Sequence, residues 1–285
     1  MNSIGRNVFI TRCVHTCVTL LRETPKNLKG KKHSSQLWLE RQIRDPYVEK
    51  AKQEKYRCRS AFKLLEINEK QTILNFGDTV IDCGAAPGSW TQVAVKLVNA
   101  DGKEAGPVGK VIGIDKLPIC PIEGATVLGN MDFTLPETQR KLYELLKESK
   151  VDIILSDMAP NATGVRELDH VNIIKLVYAV MKFAIPVTSK DGTFVAKIWD
   201  GPSTIQLKND LTKFYKRIKV IRPNATRSES SETYIIAKEF KGLKVPSHVS
   251  YSDYCVVCSR RKKLCASRLT TSKTVNFTDY FESKF

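Results

Sequence analysis

Four short apolar runs, DTVIDCG, GKVIGID, VDIILSD and GTFVAKIWD, recur between residues 78 and 200, each ending on a glycine or an aspartate. Amphipathic stretches such as ETQRKLYELLKE separate them. Runs this short and continuously apolar are strands buried on both faces, and strands alternating with helices demand a mainly parallel sheet covered on both sides. The fold class is therefore α/β and Rossmann-like. Near the end, IKVIRP and ETYIIAKEF read as two further strands joined by the polar loop NATRSESS. Upstream, QLWLERQIRDPYVEKAKQEKYRCRSAFKLLEINEK reads as two helical segments separated near Asp45 and Pro46.

In such a sheet a ligand binds outside the carboxyl ends of the strands, where strand order switches. Gly84, Asp115, Asp157 and Lys197 all fall near those ends. The turn VIDCGAAPGSW, residues 80–90, lacks the GxGxxG spacing that brings backbone against a pyrophosphate. That disfavours a nicotinamide-dependent oxidoreductase. Asp115 sits where a carboxylate accepts hydrogen bonds from ribose hydroxyls, or where it caps the following segment. Taken with the turn, it favours a nucleoside cofactor. If that cofactor is S-adenosylmethionine, the turn accommodates only an amino-acid moiety, whose carboxylate can meet N–H groups at a helix start.

A formal net charge of +16 points to a polyanionic partner. Residues 1–35 carry Arg6, Arg12, Arg22 and four lysines against Glu23 alone, and the first 22 have the spaced arginines, hydroxyls and apolar set of a mitochondrial presequence. A basic RNA-binding arm is the alternative. The eight cysteines form no regular framework, which fits reduced thiols, and no run of 18 apolar residues suggests a membrane span. Cys255, Cys258 and Cys265, with His248 before them, raise a zinc site, but the spacing is irregular and a tail without metal is favoured.

GAAPGSW, the acidic end of VIGID, MDFT, LSDMAPNATG, FVAKIWDG and RPNATRSESSETY, in that order and preceded by the stretch from Leu37, resemble the FtsJ-type ribose 2'-O-methyltransferases of ribosomal RNA. The resemblance covers about residues 36–240, leaving 1–35 as presequence and linker and 241–285 as a basic extension. It implies S-adenosylmethionine as donor and, with the leader, mitochondrial large-subunit rRNA as partner, at a uridine of the peptidyl-transferase A-loop. It also implies a catalytic set of Lys63, Asp157, Lys197 and Glu232, and cofactor contacts at Gly84, Ala86, Pro87, Gly88, Ser89, Trp90, Asp115, Asp132 and Asp157. Ser89 departs from the glycine or alanine of many relatives.

The chemistry can be stated from the residues. A sulfonium methyl is already electrophilic, so the protein must align a 2'-oxygen and remove its proton. Lys197 is the candidate base; since a free lysine titrates near 10.4, burial or a cation such as Lys63 would have to favour its neutral form, while Asp157 and Glu232 oppose this. RNA contacts are expected from Arg41, Arg44, Lys52, Lys55, Arg57 and Arg59, with Tyr47 and Tyr56 interleaved, and from Arg222 and Arg227. Trp199 reads as a core aromatic. A non-catalytic ribosome-assembly factor on the same fold is the rival function.

Overall fold

All four apolar runs are strands. The computed structural model describes residues 36, 39, 41–147 and 149–242; the leader, the cysteine cluster and the tail beyond 242 lie outside them. The strands are β1 (Thr79–Cys83), β2 (Lys110–Ile114), β3 (Ala125–Leu128), β4 (Val151–Ser156), β5 (Thr188–Trp199), β6 (Tyr215–Ile221) and β7 (Glu232–Phe240). They form one sheet in the order β3-β2-β1-β4-β5-β7-β6. β1 to β5 pair in parallel, whereas β7 runs antiparallel between β5 and β6. Strand order reverses between β1 and β4, so the crevice expected of a doubly wound sheet opens beyond Cys83 and Ser156.

The helices are α1 (Pro46–Gln53), α2 (Ala61–Gln71), α3 (Ser89–Leu97), α4 (Pro136–Leu146), α5 (Arg166–Val187) and α6 (Ser203–Phe214). Alternation along each strand decides which helix covers it. Ile81 and Cys83 pack with α4, α5 and α6 on one face, while Val80 packs with α2 and α3 on the other. Ile81 is fully buried, and truncating such a side chain to alanine typically costs about 2–5 kcal/mol. α5 is long and apolar enough to cross a membrane by composition, yet 67% of its most apolar window is buried inside the fold. The sheet it covers accounts for that apolarity.

The chain divides into residues 1–48 and 49–285. In the first unit, residues 41–43 are helical, and Asp45 Oδ1 accepts from Tyr47 N at 3.1 Å, capping the start of α1 at the break read near Asp45 and Pro46. Two features differ from the sequence reading. The second upstream helix breaks again over residues 54–60, where Lys55 takes φ 60° and Tyr56 N closes the end of α1 by donating to Ala51 O. In addition, β3 falls in a segment that shows no apolar run: it is four residues long and only Leu128 is buried.

Candidate active site

The GAAPGSW turn is built by positive-φ glycines and by bonds to β2. Gly84 has φ +81°, and a Cβ there would lie 2.5 Å from Met158 Cγ, so only glycine fits. Gly84 N and Ala85 N both donate to Ile114 O, and Ala86 N donates to Asp115 Oδ2 at 2.9 Å. These three amides are therefore already committed to holding the turn on the end of β2. Asp115 holds the turn on one side and accepts from Leu117 N through Oδ1 on the other.

A cavity of about 700 Å³ opens at this point. Gly84, Ala86, Asp115, Asp132, Asp157 and Lys197 line it, so the structure brings together residues from the ends of β1, β2, β4 and β5 and from the segment after β3. Asp132 accepts from the Thr134 hydroxyl and amide, which hold its carboxyl below the usual range. Sequence reasoning missed the far wall. Asn172, Lys175, Leu176 and Ala179 also line the cavity, spaced on α5 so that one helical stripe faces it.

Pro87, Gly88, Ser89 and Trp90 are not among the lining residues; Pro87 is exposed, and the other three are buried at the start of α3. Trp90 is buried, its Nε1 donates to Ser60 O at 2.8 Å, and its ring packs 5.4 Å from that of Tyr234. The Ser89 hydroxyl lies 2.7 Å from that of Ser60 and 3.0 Å from Cys58 Sγ. The unusual serine thus ties α3 to the start of α2. Arg57, expected to reach RNA, instead directs its guanidinium to the carbonyls of Pro87, Cys120 and Pro121 at 2.7–2.8 Å. Arg59 and Arg222 also donate to backbone, to Ala225 O and to Arg227 O. Trp199 packs partly buried against the core.

Lys63, Asp157, Lys197 and Glu232 form one connected chain. Lys197 Nζ lies 3.0 Å from Asp157 Oδ1 and also donates to the Asp157 carbonyl. Lys63, near the start of α2, reaches Glu232 Oε1 at 2.5 Å. The link between these pairs is Tyr234, whose hydroxyl lies 2.8 Å from Asp157 Oδ1 and 2.9 Å from Glu232 Oε1. Its single proton serves one carboxylate at a time. Burial, then the two carboxylates, push the Tyr234 hydroxyl well above the ordinary tyrosine range, so it remains a donor. The register explains the cluster: Tyr234 pairs with Lys197 and Glu232 with Trp199, placing both β7 residues beside the end of β5. The sequence signal was present in SSETY, because Glu232 and Tyr234 are two apart on one strand and share a face.

Behind the turn lies Asp82, fully buried, with Thr91 Oγ1 donating to Oδ2 at 2.7 Å and Oδ1 left without a partner. Burial, with Asp157 and Asp115 adding to it, pushes its carboxyl up to about 7. Among the described residues no group of three or more His, Cys, Asp or Glu could hold a metal, and Cys58, Cys83 and Cys120 are free thiols.

Comparison with known proteins meets this geometry. Residues 56–240 match the family described as FtsJ-like methyltransferase. The chain is 49% identical to "rRNA methyltransferase 2, mitochondrial" of Drosophila melanogaster over 83% of its length and 96% of the relative's. It is 41% identical to "Ribosomal RNA large subunit methyltransferase E" of Xanthobacter autotrophicus over 78% of its length and 85% of the relative's. A crystal structure of a ribosomal RNA methyltransferase from Plasmodium falciparum superposes with a TM-score of 0.56 at 30% identity, covering 66% of this chain and all of that one.

Proposed function

The chain belongs to the FtsJ-like methyltransferases, which use S-adenosylmethionine as methyl donor, and from that membership we propose both its substrate and its residue roles. It methylates a uridine ribose 2'-hydroxyl in the peptidyl-transferase A-loop of mitochondrial large-subunit rRNA, within a pre-ribosomal particle, and supports subunit assembly. The names of the fly and bacterial relatives support rRNA as substrate, and the fly name and the composition of residues 1–22 support a mitochondrial location, in the matrix. The observation that carries the catalytic reading is the chain Lys63–Glu232–Tyr234–Asp157–Lys197, which reaches the cavity through Asp157 and Lys197.

The cavity suits the donor. Its volume accommodates a nucleoside joined to an amino acid, and Asp115 and Asp132 offer carboxylate oxygens to hydroxyl or amino groups. When bound, S-adenosylmethionine supplies an electrophilic methyl on a sulfonium. Lys197, in its uncharged form, would take the proton of the 2'-hydroxyl onto Nζ as that oxygen bonds to the methyl carbon and the carbon–sulfur bond breaks, its electron pair leaving with sulfur. Asp157 holds Lys197 at both its carboxylate and its carbonyl, which fixes the nitrogen's position. Lys63 and Glu232 hold the neighbouring end of the site, and Tyr234 keeps the two carboxylates in register.

Replacing Lys197 or Asp157 by alanine is expected to abolish methyl transfer while the melting transition persists. Near-normal activity in either variant would sink the assignment. For location, a reporter fused to residues 1–35 should enter mitochondria, and a cytosolic reporter would remove that part of the reading.

A further inference from the structure

A second concave site lies away from the catalytic cavity, between the end of α2 and the strand pair β6–β7. It has a volume of about 210 Å³ and is lined by Lys70, Arg217, Lys219 and Lys238, with Gln71, Thr72 and Ile236. Four cations and no carboxylate form its wall. Two of the cations are partly engaged: Lys238 Nζ donates to Gln71 O and Thr72 O at the end of α2, and Arg217 pairs with Glu239. Lys70 and Lys219 have no ion-pair partner among the described residues, and both are exposed. Burial, then Arg217 and Lys219, hold the Lys238 ammonium below the usual lysine range. Like charges are thus gathered here against their mutual repulsion.

The edge position of β6 explains part of this, since lysines on an edge strand discourage pairing with another sheet. It does not explain why Lys70 arrives from α2, nor why the pocket lacks acids. A polyanion answers both. Lys238 lies six residues along β7 from Glu232, about 20 Å at 3.3 Å per residue, a span of a few nucleotides. The face is also the right one: α2 carries Lys63 of the catalytic chain near its start and Lys70 near its end, so one helix joins the two sites.

We infer that the Lys70–Arg217–Lys219–Lys238 pocket holds backbone phosphates of the substrate RNA outside the methylated nucleotide. The inference rests on the rRNA reading above. It positions the RNA and reads no base.

The test compares methyl transfer to bare mitochondrial large-subunit rRNA by the full chain and by K70E/K219E, with K70Q/K219Q as a milder pair. K182E/K208E makes the same change of charge on α5 and α6, across the sheet. For K70E/K219E the KM for RNA should rise by about tenfold, with a smaller change in kcat and unchanged donor affinity. The slope of log affinity against log salt should flatten by about 1.5, close to two lost phosphate contacts. The glutamine pair should show the same pattern at smaller size, and the control pair should not. Equal effects in test and control pairs, or a loss seen only with ribosomal particles and not with bare RNA, would overturn the inference; the second would mean a protein partner. If the unmodified protein transfers no methyl to rRNA, the rRNA reading itself fails and takes this site with it.

Discussion

Tyr234 is the residue that joins the Lys63–Glu232 and Asp157–Lys197 pairs, although it is neither acid nor base at neutral pH. Its hydroxyl is the donor shared by Asp157 and Glu232, and each of those carboxylates holds a lysine. Tyr234→Phe should therefore lower kcat by about tenfold or more with little change in donor affinity, since a lost buried hydrogen bond of about 1–3 kcal/mol acts on alignment. A kcat equal to that of the unmodified protein would show that the ion pairs hold without it. Asp82 carries a prediction about stability. Burial pushes its folded carboxyl up to about 7 against 3.8 for a solvated aspartate, so the folded state binds more protons between these values and stability falls as pH rises through about 4 to 7, then levels off. Denaturant melts of Asp82→Asn should lose that slope, by on the order of a few kcal/mol across the window. An unchanged slope would assign the pH dependence elsewhere.

Among the elements, buried parallel strands were legible because both of their faces are apolar. DTVIDCG, GKVIGID, VDIILSD and GTFVAKIWD each gave a strand for that reason. β3 was not, because a four-residue edge strand with one buried side chain has no periodicity to read. The break at 54–60 was hidden by composition: charged residues that suit a helix surface instead serve a turn whose Arg57 holds the GAAPGSW turn from outside. Sequence reasoning named the four charged catalytic candidates from family motifs, yet not Tyr234, whose role depends on the β5–β7 register, nor the α5 stripe, which becomes visible only when the helix lies on the sheet. The Arg57 contacts predict a specific defect. Arg57→Lys cannot reach three carbonyls at once, so donor affinity should fall by about five- to twentyfold while the KM for RNA stays within twofold, as calorimetry and kinetics would report. The reverse pattern would return Arg57 to the RNA surface.

At the scale of the whole molecule, a sheet that reverses order between β1 and β4 places the large cavity at its carboxyl edge, while the antiparallel β7 brings Glu232 and Tyr234 to the same edge. The +16 charge then supplies the long-range attraction for a polyanion, and the basic pocket beyond β7 gives part of that charge a location. Association should be strongly salt-dependent while chemistry at saturating RNA is not. The most direct test is transfer of labelled methyl from S-adenosylmethionine to mitochondrial large-subunit rRNA, bare and within immature subunits, followed by mapping of the modified nucleotide. The account predicts one alkali-resistant 2'-O-methyl at an A-loop uridine, absent when Lys197→Ala protein is used. A folded, donor-binding protein that methylates neither substrate, or that places the methyl on a base, would contradict it.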